Sequence, residues 1–120
     1  MPESFESFDE FRDRLNARIP EADNAPIKRM FALDSLTYRD GALDSKTKEM
    51  LGLVSSMVMR CDDCVAYHIK KCLELGVLRA EFFDIFSVAL TVGGTIIIPH
   101  LRRAVDLLDK LEQDQVNRKI

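Results

Sequence analysis

Apolar side chains return every three or four positions through most of this chain, the spacing of one face of an α-helix. Phe5, Phe8, Phe11 and Leu15 form the first stripe, with Ser7 and Glu10 at capping-box spacing, and Pro20 ends it. A second helix is predicted to start near Pro26 with Ile27, Met30 and Phe31 on its inner face, and Gly41 closes that region. Asp44 or Ser45 caps a third helix carrying Glu49, Met50, Leu51, Val54, Met57 and Val58. A break near Met59-Arg60 leads into a fourth helix, which opens on two cysteines, runs to about Leu75 and stops at Gly76.

From Arg79 to Val92 the chain is apolar almost all round, through Phe82, Phe83, Ile85, Phe86, Val88, Ala89 and Leu90. Such a helix is buried, either in a core or against another subunit. Gly93-Gly94 breaks it. Pro99 fits only near the start of a last helix, whose Leu101, Val105, Leu108 and Leu111 make one stripe. The polar tail after Glu112 is expected to fray. With no period-2 alternation, no hairpin dipeptide and no internal repeat, the fold class is all-α.

At 120 residues the chain is expected to make one domain over residues 1–120, with its core about 43–111. Apolar residues make up 47% and charged residues 31%, a globular and not a disordered composition. The formal net charge of −3 leaves no basic footprint, so neither nucleic acid nor an anionic membrane is an expected partner. The nearest approach to a membrane span, Phe82 to Pro99, carries Asp84 and is split by two glycines. Three cysteines without a secretion signal fit a reducing cytoplasm, where a close pair is catalytic or metal-binding more often than structural.

The chemistry concentrates in Cys61-Asp62-Asp63-Cys64 and His68, preceded by Glu49. On a helix, Cys61, Cys64 and His68 fall within an arc of roughly 60°. Cys64 and His68 are an i, i+4 pair, so the imidazole is placed to take the thiol proton. Both cysteines lie at a helix start, where the dipole favours a thiolate. If the third and fourth helices form a hairpin turning near Met59-Arg60, Glu49 and His68 each stand about 12 Å from the bend and are level with each other. The carboxylate would then orient the ring in a relay running Glu49, His68, Cys64. Asp62 and Asp63 work against this, because their charge disfavours a neighbouring thiolate; Arg60 partly offsets them.

These residues resemble the redox-active branch of the alkylhydroperoxidase (AhpD-like) and carboxymuconolactone decarboxylase superfamily. The signature is Glu, eleven residues, Cys, two residues, Cys, three residues, His, and here it reads Glu49, Cys61, Cys64, His68. The similarity covers about Leu43 to Val92, including Gly76 and the acidic Glu81. It implies an all-α domain built around a helical hairpin, with the cysteine pair at a helix N-terminus and the chains assembled as trimers or hexamers. It also implies thiol peroxidase activity: Cys64 is oxidised by peroxide, Cys61 resolves it as a disulfide, and His68 and Glu49 relay the proton. An external dithiol, a lipoyl group or a thioredoxin-like protein, would reduce the pair, and no bound organic cofactor is required. Asp63 stands where some members have a second histidine, and Leu78 where a threonine is often found. Members that decarboxylate muconolactones generally lack the cysteine pair.

Three alternatives stay open at this point. A redox or metal sensor, or an interaction module, would use the same cysteines as a switch. A metal site from Cys64, His68 and Glu49 is possible, although Cys72 is about 16 Å from Cys61 on a straight helix and cannot share a tetrahedral centre with it. A lactone or keto-acid enzyme would use Glu49 and His68 as acid and base. Cys72 reads as a buried small hydrophobe. Tyr67 reads as packing. His100 reads as a partly exposed histidine that lines a pocket only if the last helix covers the site.

Overall fold

The computed structural model describes residues 7–119, in which all regular secondary structure is helical. Phe5, the first residue of the first stripe, lies outside the described residues. The chain divides into two compact units, the division falling between Arg39 and Asp40.

In the first unit, α1 (Phe8–Arg18) starts where Ser7 Oγ accepts the Glu10 backbone N–H at 3.1 Å. A 3₁₀ turn, Ile19–Ala22, takes up Pro20, and α2 (Ala25–Thr37) follows. Its cap is Asn24, whose Oδ1 accepts the Ile27 N–H at 3.1 Å, and Pro26 falls in the first turn, where no helical partner awaits its missing N–H. Neither helix buries a residue. The expected inner face of Ile27, Met30 and Phe31 is exposed, as is Phe11, because two short helices and a turn enclose no core of their own.

The second unit holds the core. It comprises α3 (Ser45–Val58), α4 (Asp62–Glu74), α5 (Arg79–Gly93), a 3₁₀ turn (Thr95–Ile97) and α6 (Ile98–Lys119). Asp44 is the α3 cap, its Oδ1 accepting the Thr47 N–H at 2.8 Å. Helices α3 and α4 form a hairpin; α5 packs on α3 and α6 on α4. Leu53 and Met57 of α3, Val65, Ile69 and Cys72 of α4, Phe82, Ile85, Phe86 and Ala89 of α5, and Ala104 and Leu108 of α6 fill the space between them.

Three details depart from the reading of the pattern. On α3 the deepest stripe is Glu49, Leu53 and Met57, each one turn from the next, while Leu51 is exposed. On α5 only one side is buried: Phe83, Val88 and Val92 stay exposed in the single chain. The segment after Glu112 does not fray but continues α6 to Lys119, with i, i+4 pairs Asp106–Lys110 and Gln113–Asn117 along it. Gly94, at φ 81° and ψ −177°, makes the α5 break in a region open essentially to glycine alone. Among the described residues no helix is long and apolar enough to cross a membrane.

The turn between α3 and α4 fixes where the cysteines begin. Arg60 N–H bonds Met57 O at 3.0 Å and Cys61 N–H bonds Ser56 O at 3.0 Å, the two bonds of a Schellman motif. The motif requires a left-handed residue, and Arg60 fills that place at φ 61°. Helix α4 ends in the same way, with Gly76 N–H on Leu73 O, Val77 N–H on Cys72 O, and Gly76 at φ 87°. An L-residue in this conformation costs about 1–2 kcal/mol, which glycine avoids at the expense of some chain entropy.

Cys72 lies fully inside this core. Burial, and next the charge of Glu49, push its thiol up to about 12, with Lys46 opposing. It is therefore a protonated, apolar filler at neutral pH.

Two predictions follow from these positions. Arg60→Gly should raise stability by roughly 0.5–1 kcal/mol and Gly76→Ala should lower it by about 1 kcal/mol, read from urea unfolding. A cost from Gly76→Ala would be conformational alone, since a Cβ there meets nothing within 4 Å; a neutral result at both positions would remove the strain argument. The second concerns alkaline pH. The unfolded thiol releases its proton near 9 and the folded one near 12, so Cys72 contributes stability that is complete below pH 9 and falls above it, by up to about 1.4 kcal/mol per pH unit. Cys72→Ala should flatten the profile by that amount between pH 9 and 11; parallel profiles would show that the thiol is not desolvated.

Candidate functional site

Cys61 occupies the N-cap of α4, with extended backbone at φ −102° and ψ 96°. Its Sγ accepts the Cys64 backbone N–H at 3.3 Å, so a sulfur does the work usually given to a Ser or Asp oxygen. The Cα atoms of Cys61 and Cys64 are 5.3 Å apart and the two are joined as a disulfide. Cys61 is partly covered and Cys64 is exposed at the surface. Charge appearing on the Cys61 sulfur would meet the positive end of α4 and an N–H already aimed at it.

One turn further along α4, His68 is buried beside Glu49 of α3, with Nδ1 2.7 Å from Glu49 Oε1. The carboxylate can only accept, so Nδ1 carries the proton and Nε2 is the basic nitrogen of the neutral ring. Glu49 is 3% exposed and His68 8%, and among the described residues this pair is the buried polar exception in an otherwise apolar core. The stripe that places Leu53 and Met57 in the core places Glu49 there too. The Tyr67 ring meets the His68 ring edge-on, at 5.2 Å between centroids, and Lys71 lies over its face.

A second histidine and carboxylate meet at the start of α4. His100 Nδ1 is 2.7 Å from Asp62 Oδ1, and Arg103 Nη1 is 3.3 Å from Asp62 Oδ2. Both partners come from the first turns of α6, and His100 is mostly covered there. Asp62 is the residue directly after Cys61, so both of its oxygens are engaged on the α6 side.

Of the residues singled out from the sequence, the structure brings Glu49 and His68 into direct contact and joins Cys61 to Cys64. Cys72 lies in the core and Tyr67 packs, as the pattern suggested. Glu81 serves the fold, its Oε1 accepting the Leu78 N–H at 2.8 Å to cap α5. Among the described residues no three His, Cys, Asp or Glu side chains are placed to hold a metal ion. The residue that sequence reasoning undervalued is His100. Its signal was present: His100, Arg102 and Arg103 crowd the N-terminal turns of a helix with no acidic residue there, where the dipole disfavours cations. Cations so placed imply an anion nearby, and Asp62 is that anion.

The fold also recurs in known proteins. Residues 24–107 match the family model "Carboxymuconolactone decarboxylase family". Two crystal structures of one Thermotoga maritima protein superpose with TM-scores of 0.90 and 0.89 at 47% identity, covering 94% of this chain and 99% and 96% of those chains. That protein is a carboxymuconolactone decarboxylase family member for which a role in antioxidative response is suggested. A Legionella pneumophila member of the same family shares the fold at a TM-score of 0.69 and 22% identity, over 86% of this chain and 95% of that one. Uncharacterized protein 4 in the cox locus of Paracoccus denitrificans is 26% identical over 68% of this chain and 73% of its own length. The family match spans well over half of the sequence, and the chain belongs to the carboxymuconolactone decarboxylase family.

Proposed function

We propose that this protein is a two-cysteine thiol peroxidase. The observation that carries the reading is the joined Cys61–Cys64 pair at the start of α4, one turn from a buried Glu49–His68 dyad. The antioxidative role suggested for the Thermotoga maritima relative supports it.

In the reduced protein, His68 Nε2 takes the Cys64 thiol proton. The thiolate attacks a peroxide oxygen and the O–O bond breaks. The alcohol leaves with the proton returned from His68, and Cys64 becomes a sulfenic acid. Glu49 holds the ring and compensates the charge it carries between the two transfers. The Cys61 thiol then gives up its proton and its sulfur attacks the Cys64 sulfur; the S–S bond forms, the S–O bond breaks, and the departing hydroxide takes up that proton and leaves as water. An external dithiol reduces the pair by exchange, becoming a disulfide itself and restoring both cysteine thiols. Val88 and Val92, one turn apart on α5 and both exposed in the single chain, support assembly of several copies of the chain.

The test is a thiol count on reduced protein before and after one equivalent of a peroxide. Wild type should lose two thiols, and Cys61→Ser should yield a sulfenic acid trapped by dimedone at Cys64. Glu49→Gln, which keeps an acceptor for Nδ1–H, should slow the first step by roughly 10-fold, and His68→Gln by roughly 10²–10³-fold. No thiol loss in wild type would refute the peroxidase. Turnover of a lactone or keto acid that survives Cys61→Ala with Cys64→Ala would favour acid–base chemistry by Glu49 and His68 instead.

A further inference from the structure

The cysteine pair carries a charge problem that the relay leaves unsolved. Asp62 directly follows Cys61 and lies in the first turn of α4, where its charge suits the helix but opposes a thiolate on the adjoining sulfur. The charge matters most during thiol exchange. When an external thiolate attacks the disulfide, the S–S bond breaks and its electron pair stays on the leaving cysteine sulfur, which departs as a thiolate. A free carboxylate beside that sulfur raises the energy of this species relative to the disulfide.

We infer that His100 and Arg103 of α6 are positioning residues for the Cys61–Cys64 couple, acting through Asp62. His100 Nδ1–H donates to Oδ1 at 2.7 Å and Arg103 to Oδ2 at 3.3 Å. With both oxygens engaged, the carboxylate is turned towards α6 and its charge is partly neutralised at the place where a thiolate must form. The same contacts tie the first residue of α4 to α6, a helix that already packs along α4. His100 is covered while Arg103 is largely exposed, so His100 is the stronger of the two anchors and Arg103 supplies permanent charge. The site therefore contains two histidine–carboxylate pairs with different tasks. Glu49–His68 moves the Cys64 proton, and Asp62–His100 with Arg103 sets the electrostatic surroundings of the pair. This inference rests on the thiol-redox reading of the same cysteines.

The experiment measures the equilibrium of the Cys61–Cys64 disulfide with dithiothreitol, and the alkylation rate of the reduced protein by iodoacetamide at pH 7. Four proteins are compared: wild type, Asp62→Asn, His100→Gln with Arg103→Gln, and the triple combination. Circular dichroism confirms that each is folded. Freeing Asp62 in the double variant should slow alkylation several-fold. It should also shift the exchange equilibrium about tenfold towards the protein disulfide, which is a potential about 30 mV more negative. In the Asp62→Asn background the same two substitutions should change the equilibrium less than about threefold. An unchanged potential in the double variant would overturn the inference. So would an equal shift in both backgrounds, because the cations would then act on the sulfurs directly and not through Asp62. A wild-type protein that forms no reversible Cys61–Cys64 disulfide would instead refute the redox reading, and the inference with it.

Discussion

The arrangement of the second unit turns on one buried contact, Glu49 to His68. A carboxylate inside an apolar core is tolerable only if it is paired, and removing one member of such a pair typically costs about 3–5 kcal/mol. Glu49 sits on the same stripe of α3 as Leu53 and Met57, so docking α3 on α4 buries it whether or not it has a partner. His68, on the α4 face that also carries Val65, Ile69 and Cys72, supplies that partner. The register of the hairpin is thus set by apolar packing and policed by a polar contact. A slip of one turn would strand a carboxylate among hydrocarbon side chains. The contact that specifies the hairpin also fixes which imidazole nitrogen is basic, so structural and chemical requirements coincide in one hydrogen bond.

The connection between the two helices does the rest of the positioning. A Schellman motif ends α3, and the residue that closes its second hydrogen bond is Cys61, which is also the N-cap of α4. No linker separates the end of one helix from the start of the next, so the cysteine has little conformational freedom of its own. The left-handed place in this turn belongs to Arg60, whereas the equivalent turn after α4 uses Gly76. Of these two turns, the one that precedes the cysteines accepts the strain of a side chain, at a location where a permanent positive charge favours thiolates.

Much of this could be read from the sequence, because its strongest signals are local. The caps Ser7 and Asp44, the breaks near Arg60, Gly76 and Gly94, and the helical spacing between them are all set by neighbours a few residues apart. The Glu49–His68 contact was also within reach, since a hairpin of known pitch turns two sequence offsets into two heights. What escaped was non-local or collective. Leu51 and Leu53 are equally apolar, and only the partner helix decides that Leu53 is the one buried. Ile27, Met30 and Phe31 follow the pattern of an inner face, yet a pattern carries no information on whether a partner surface lies within the same chain. His100 is 38 residues from Asp62, and nothing in its immediate surroundings names its partner. The clue was indirect, in cations placed at the wrong end of a helix.

The two cysteines are thereby distinguished in kind, although the motif presents them as equals. Cys64 is exposed, one turn from an imidazole whose tautomer is fixed, and so is suited to surrender a proton and meet a substrate from outside. Cys61 is partly covered, receives a backbone N–H at its sulfur and lies at the positive end of α4, and so is suited to carry charge without a dedicated base. A single activated thiol would need both kinds of help at one atom. Here the helix geometry divides them, three residues apart, and the Cα separation of 5.3 Å keeps the two sulfurs within reach of a disulfide. Under the proposed mechanism a base near Cys64 and a neutralised carboxylate next to Cys61 are separate requirements: the base is His68 of α4, held by Glu49 of α3, and the carboxylate's partners, His100 and Arg103, come from α6.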